Sequence, residues 1–356
     1  GNWLGRQTHL RRLLIPSATE VAVPGQHGRV CPFELPEGPR IGRVCTIAQG
    51  AEIRDGKLVV VDDRPAAALG LSASAIPLLE QGDANRALMG ANMLRQWVPQ
   101  STPEPALVQT GLEPDEEGFW AGRNLLTAFV SWGADTFDDG ILVSESCASR
   151  FDTPYPLEPG DKLSNRHGTK GVVSRVVPDD QMPHLSDGTP VELAYNFSGL
   201  HVRLNFSQAR EAVLGAIARR RGEPVLAPPF GAPDADPIRS WLREAGLPES
   251  GMETLTLGAD GPQLGRPSLV GWVYWGRLFH LARSKLRTYV DGRGGQVRGE
   301  MEQRVLGQIG CRANQHEGLN TAASRRPDAE TLAARAAAGL VEPAGPPSPL
   351  FAELQA

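Results

Sequence analysis

The densest set of chemically capable side chains lies in PGDKLSNRHGTKG, where Lys162, Arg166, His167 and Lys170 stand among Gly160, Gly168 and Gly171. Glycines let a backbone approach a ligand closely, and two lysines across a turn can converge as point charges on phosphates. The spacings GxxxxGK[ST] and GxGxxG are both absent, which excludes a Walker A loop and a dinucleotide fingerprint. A solvated basic loop has the same composition, so the residues alone leave both readings open. Asp138 and Asp139, in TFDDG, place adjacent carboxylates after the apolar run LLTAFVSW. Such a pair suits a hydrated magnesium or a nucleotide's own metal, and it is equally ordinary turn chemistry. Arg86 and Arg95, in DANRALMGANMLRQ, stand about two and a half helical turns apart and point to different faces. Arg6, Arg11 and Arg12 crowd the N-terminal stretch with Trp3 as its only aromatic, a weak nucleic-acid signal. No GxSxG elbow occurs, and His27, His184, His201, His280 and His316 lack ligand-like spacing.

The elements that must position these groups follow from turn and cap signals. AEIR and KLVVV flank Asp55-Gly56, good hairpin chemistry. Asp83 suits a helix N-cap, with Ala87, Leu88, Ala91 and Leu94 at helical spacing after it. LLTAFVSW, ILVSES and GVVSRVV read as strands separated by turn-dense links. SQAREAVLGAIARRRG reads as a helix ending at Gly222, and DPIRSWLREAG as a short one with Gly246 at its C-terminal cap. LVGWVYWGRLFHLARSKL is apolar, and its Trp272, Tyr274 and Trp275 imply a partner-facing surface. GEMEQRVLGQIG and PDAETLAARAAAGL are helical in pattern.

Composition narrows the class. With 40 Gly and 30 Pro, about a fifth of the 356 residues disfavour helix interiors, which excludes a bundle or coiled coil. The net charge of −5 gives no bulk warrant for a free-standing nucleic-acid-binding module. Four cysteines without a CxxC pair argue against zinc and a disulfide framework, and fit a reduced cytoplasm. No apolar run approaches the ~18 residues of a membrane span.

The order of the pieces is more specific than any one of them. THLRRL, HGRVCPFELPEGPRIG, IPLLEQGDANRALMGANMLRQWVP, GRNLLTAFVSWGADTFDDGILVSE, PGDKLSNRHGTKGVVSRVVPDDQMP, DGTPVELAYNFSGLHVRLNFSQARE, LREAGLPESG and RGEME occur in one chain. This resembles the catalytic, C-terminal half of the beta subunit of bacterial multisubunit RNA polymerase. The resemblance implies an α+β fold with a double-psi β-barrel core. Its parts would be a fork-like region with an RNA-path stretch (1–122), the barrel (123–215), a Pro/Gly-rich connection (216–267) and a hybrid-binding, partner-anchoring region (268–356). It implies that Lys162 and Lys170 face the initiating nucleotide and the RNA 3′ end, and that Asp138 and Asp139 stand beside the active centre. Arg86 would reach the incoming triphosphate, Arg95 a second basic position near the RNA, and Arg203 and Asn205 the substrate side. His9, Arg11 and Arg12 would line the RNA path, Glu34 and Glu37 the fork, and Arg166 and His167 would contact substrate or RNA.

The implied cofactor is Mg2+, held mainly by a larger beta-prime-like partner that carries NADFDGD, a run absent here. Alpha-like subunits, DNA template, RNA and nucleoside triphosphates are the other implied partners. There are departures from the family pattern. Only about ten residues stand where the family carries its flap segment, the upstream protrusion and lobe are missing, and the HARSTG stretch is compressed to RTYVDGRGGQVRGEME with Arg287 in place of His. They raise a rival reading, a non-catalytic scaffold or decoy that binds polymerase subunits. The start within THLRRL and the end within a helical pattern imply a reduced version or a piece of something larger.

Overall fold

The turn signals of the sequence recur as turns in a computed structural model, which describes residues 1–15, 24–285, 299–312, 314–315 and 337–339. The first part of the chain carries α1 (Trp3–Leu10), β1 (Arg12–Leu14), β2 (Val44–Thr46), β3 (Ala51–Arg54) and β4 (Lys57–Val60). It continues with α2 (Leu71–Ser74), α3 (Ala84–Leu94) and β5 (Val108–Gln109). Between β3 and β4, Asp55 and Gly56 take φ of 49° and 73°, as a tight hairpin turn demands. Asp83 caps α3 by accepting the Asn85 amide at 3.0 Å. Ala87, Ala91 and Leu94 then bury with Leu4, Ala73 and Trp97 in one apolar cluster.

The middle of the chain supplies β6 (Arg123–Phe129), β7 (Gly140–Ser144), α4 (Glu145–Arg150), β8 (Lys162–Asn165), β9 (Lys170–Val177) and β10 (Leu193–Tyr195). After these come α5 (Ser198–Arg203), α6 (Ser207–Arg221), β11 (Val225–Leu226), α7 (Ala235–Glu244), β12 (Met252–Glu253), β13 (Ser268–Arg277) and α8 (Glu300–Gln308). The strand order β13–β6–β10–β7–β9–β8 returns to β13 through a further β8–β13 pairing, which closes a six-stranded barrel. The pairs β6–β10 and β7–β9 are parallel and the others antiparallel. Closure leaves the barrel strands without an open edge. All six contribute to one cluster, including Leu125, Ile141, Leu163, Val173, Leu193 and Trp275. This is the expected α+β, double-psi barrel fold.

Two expectations are corrected. The sixth barrel strand comes from 268–277, beyond the limit at 215, because the apolar run there is buried in the sheet. Trp275 and Tyr274 are buried, so they form core and not a partner-facing surface. The Trp275 indole donates to Thr127 Oγ1 at 3.1 Å, and the Tyr274 hydroxyl donates to the Glu104 carbonyl at 2.8 Å. Trp272 is half-buried under the Arg219 guanidinium, 4.8 Å from the ring centroid. In addition, ILVSES is a strand only to Ser144, whose Oγ accepts the Cys147 amide and starts α4.

The chain separates into two compact units, 1–157 with 162–279 and 158–161 with 280–356. Helix α8 in the second unit matches the pattern of GEMEQRVLGQIG. The stretch 286–298, with Arg287, lies outside the described residues, as does PDAETLAARAAAGL apart from 337–339. Among the described residues no helix is long and apolar enough to cross a membrane.

Candidate functional site

The β8–β9 hairpin sets the lysines. Lys162 pairs opposite Val172 and Lys170 opposite Ser164, so the lysines are diagonal neighbours on one face of the ladder. Such positions lie about 7–8 Å apart. Lys170 is exposed and Lys162 half-buried. The loop between them is tied inward. Asn165 Oδ1 accepts the amides of His167 (3.0 Å) and Thr169 (3.2 Å), and its Nδ2 donates to Gln208 Oε1 at 2.8 Å. The Thr169 hydroxyl donates to the same Gln208 oxygen at 2.9 Å and accepts from Asn205 Nδ2 at 2.8 Å.

Arg166 and His167 meet Glu211 of α6 in the core. Arg166 hydrogen-bonds Glu211 Oε1 and the Val108 carbonyl (2.8 Å), and lies 5.3 Å from the centroid of the Tyr274 ring. His167 Nε2 bonds Glu211 Oε2. Burial alone would raise the Glu211 carboxyl; the charges of Arg166 and His167, with their hydrogen bonds, overcome it and lower it to about 2. Arg166, His167 and Asn205 are only 1%, 2% and 0% exposed. These three side chains are thus buried in the network beneath the hairpin, with Arg166 Nε, His167 Nδ1 and Asn205 Oδ1 left without a hydrogen-bond partner among the described residues.

A second cluster forms around Asp139. Asp138 and Asp139 take left-handed backbone, φ 46° and 65°, where the 3-10 segment Gly133–Asp139 enters β7. Arg203 donates from Nη1 to Asp139 Oδ1 at 2.6 Å and from Nη2 to Oδ2 at 2.5 Å. The Tyr195 hydroxyl donates to Oδ1 at 2.8 Å and accepts from Arg203 Nη1 at 3.1 Å. Burial would raise the Asp139 carboxyl, but the bonds from Arg203 and Tyr195 and the charges of Arg203 and Arg86 hold it below the usual carboxylate range. Burial, and then the Arg203 charge, lower the pKa of Arg86. Asp138 is exposed, without a hydrogen-bond partner among the described residues.

Close backbone contacts bring these groups to one end of the barrel. Strands β7 and β9 run parallel with Gly140 opposite Val172, so Asp139 and Lys170 enter from the same side. Helix α3 lies directly on the hairpin loop. A Cβ at Gly90 would stand 2.1 Å from the Arg166 carbonyl oxygen, and one at Gly168 (φ +80°) 2.3 Å from that of Arg86. The glycines of MGANM and RHGTKG thus dock Arg86 beside the loop that leads into Lys170.

The remaining candidates lie elsewhere. Glu34 is buried and accepts the Ser72 and Ala73 amides at 2.7 and 3.1 Å, so it caps α2. Burial pushes its carboxyl up. Arg95 bonds the Ala91 carbonyl at 3.2 Å and Asn92, while Arg11 bonds the Ile47 and Ala48 carbonyls at 3.2 and 2.6 Å. His9, Arg12 and Glu37 are exposed. Among the described residues no group of three or more His, Cys, Asp or Glu side chains is placed to hold a metal.

Three residues that hold the candidate site together escape a reading by motif: Tyr195, Gln208 and Glu211. Gln208 and Glu211 do leave a signal, because they share a helical stripe with Ala212, Gly215 and Ala218, all buried. Polar groups on such a stripe need buried partners. For Tyr195 the signal is an aromatic with a polar tip at a strand end.

Residues 152–298 match the family model described as RNA polymerase Rpb2, domain 6. The DNA-directed RNA polymerase subunit beta of Chloroflexus aggregans is 38% identical over 170 residues, covering 44% of this chain and 14% of the relative. That of Solibacter usitatus is 37% identical over 170 residues, covering 44% and 12%. That of Methylacidiphilum infernorum is 38% identical over 136 residues, covering 38% and 11%. The matched segment therefore spans only 11–14% of the length of these relatives. Over its matched residues the chain is similar to the beta subunits of DNA-directed RNA polymerases.

Proposed function

We propose that the chain is a beta-like subunit of a cytoplasmic DNA-directed RNA polymerase, or a piece of one, and lines the substrate side of its active centre. The observation that carries this reading is the convergence of Arg86, Asp139, Lys170 and Arg203 at one barrel end, with Lys162 diagonal to Lys170. Phosphodiester formation needs charge stabilisation of a triphosphate and an RNA end, and preorganised cations supply it without reorganising. Lys162, Lys170 and Arg86 would act by position and charge, with no covalent step. Lysine suits the role as a compact point charge with three rotatable donors. Contacts to the RNA–DNA hybrid would be to phosphate and sugar, hence independent of sequence.

The catalytic magnesium would be held mainly by a larger beta-prime-like partner and would orient the 3′ oxygen and triphosphate when bound. In this reading the chain makes no RNA alone, and alpha-like subunits belong to the assembly. The rival reading is a non-catalytic scaffold that retains the subunit surface. Co-expression with a partner carrying NADFDGD, followed by primer extension with magnesium, separates the two. RNA synthesis that is lost in the variant Lys162→Ala with Lys170→Ala supports the proposal. Stable assembly without synthesis favours the scaffold, and full activity of the double variant removes the lysines from the mechanism.

A further inference from the structure

Left-handed backbone at a residue other than glycine persists only where its surroundings over-determine it. Asp138 and Asp139 are two such residues in succession, at the mouth of the candidate site. What holds Asp139 is a closed triangle. Arg203 grips both carboxylate oxygens at 2.6 and 2.5 Å, and the Tyr195 hydroxyl donates to Oδ1 at 2.8 Å while accepting from Arg203 Nη1 at 3.1 Å. A hydroxyl bonded to both members of an ion pair fixes the rotation of each against the other. The tyrosine is itself immobilised. It is 1% exposed, ends β10 opposite Phe129 on one side and Ile141 on the other, and packs tilted on Trp275 at 6.3 Å between ring centroids. The ring belongs to the barrel's apolar cluster, and phenylalanine would fill that space equally well. Only the hydroxyl needs a further explanation, and the ion pair is its only hydrogen-bonding partner among the described residues.

We infer that Tyr195 is a positioning residue of the nucleotide site: it locks the Asp139–Arg203 pair, so that the pair stays closed on itself and in place beside Arg86 and Lys170. This rests on the reading of the site as nucleotide-binding. The lock leaves Arg86 and Lys170, which have no carboxylate partner among the described residues, as the cations presented to a phosphate. Without the hydroxyl, the Arg203 fork can rotate and Asp139 can approach those cations instead, which weakens binding of an anionic ligand before it affects any later step.

The test is Tyr195→Phe, read in two ways. In the full chain with carboxyl-labelled aspartate, the Asp139 titration followed by NMR is expected to move to higher pH, since one of the bonds holding the anion is gone. A ring that served packing alone would leave that titration where it is. In the assembled polymerase, KM for nucleoside triphosphate is expected to rise about three- to tenfold, the loss of one hydrogen bond, with kcat unchanged. An Asp139 titration unmoved by the substitution overturns the lock, whatever the assembly does. A wild-type assembly that makes no RNA overturns the nucleotide-site reading, and a fall in kcat at constant KM overturns the assignment to binding.

Discussion

Replacing Glu211 by Gln tests the framework beneath the hairpin with little change of shape. Glu211 is 1% exposed and is the anion that the Arg166 and His167 side chains share. Its carboxyl lies at about 2 in the folded chain against an ordinary 4.5, a gap that corresponds to about 3 kcal/mol. The sign follows from the direction of the gap. Folding favours the anion, so this contribution is fully present above about pH 4.5 and is lost as pH falls through about 2. A second route gives a similar size, since removing one partner of a buried pair typically costs about 3–5 kcal/mol by leaving the other charge uncompensated. At neutral pH the substitution should therefore cost about 3–5 kcal/mol, a large share of the ~5–15 kcal/mol that holds a typical domain folded. Urea unfolding followed by tryptophan fluorescence measures this, and repeating it at falling pH should show the gap between wild type and variant narrowing towards pH 2. A cost below about 1 kcal/mol, or a gap independent of pH, would refute the role given to the buried anion.

Two further outcomes follow from the packing. Gly168→Ala should cost more than Gly188→Ala although both have positive φ, +80° and +84°. The added methyl meets the Arg86 carbonyl oxygen at 2.3 Å in the first and nothing within 4 Å in the second. The backbone part of each is about 1–3 kcal/mol, so paired urea titrations isolate the crowding that docks α3, and equal losses would count against that docking. Burial and the Glu34 charge push the Cys31 thiol to about 12, burial raises Cys45 and Cys147 as well, and Cys311 is only half-buried. A brief exposure to iodoacetamide at pH 8 should therefore label Cys311 alone, with the other three reacting only in denaturant; mass spectrometry of the digested chain reads the sites.

Local rules made much of the fold legible. Asp55-Gly56 demanded a hairpin turn, Asp83 a helix start and Gly222 a helix end, and each is a choice made by neighbouring backbone atoms. Barrel closure was not legible in the same way. The pairing of β13 with both β6 and β8 joins residues more than a hundred positions apart, and an apolar run such as LVGWVYWG is compatible with core and with interface alike. The fate of Arg166 and His167 was hidden for a related reason. They stand within four residues of Lys170, and what separates them is Glu211, which comes to the loop only through α6.

That separation bears on how an acidic chain can present a cationic site. The motif RHGTK contains two basic residues that the fold neutralises in the core and one lysine that it leaves exposed. Asp139 does the same to Arg203 at the surface of the site. Arg86 and Lys170 have no carboxylate partner among the described residues, and the net charge of −5 says nothing about them. Charge screening with water and salt is strong beyond about 8–10 Å, so what a phosphate at the barrel end meets is set by these near groups. The buried pairs turn Arg166 and His167 inward onto Glu211, which leaves Lys170 as the exposed basic side chain of that loop.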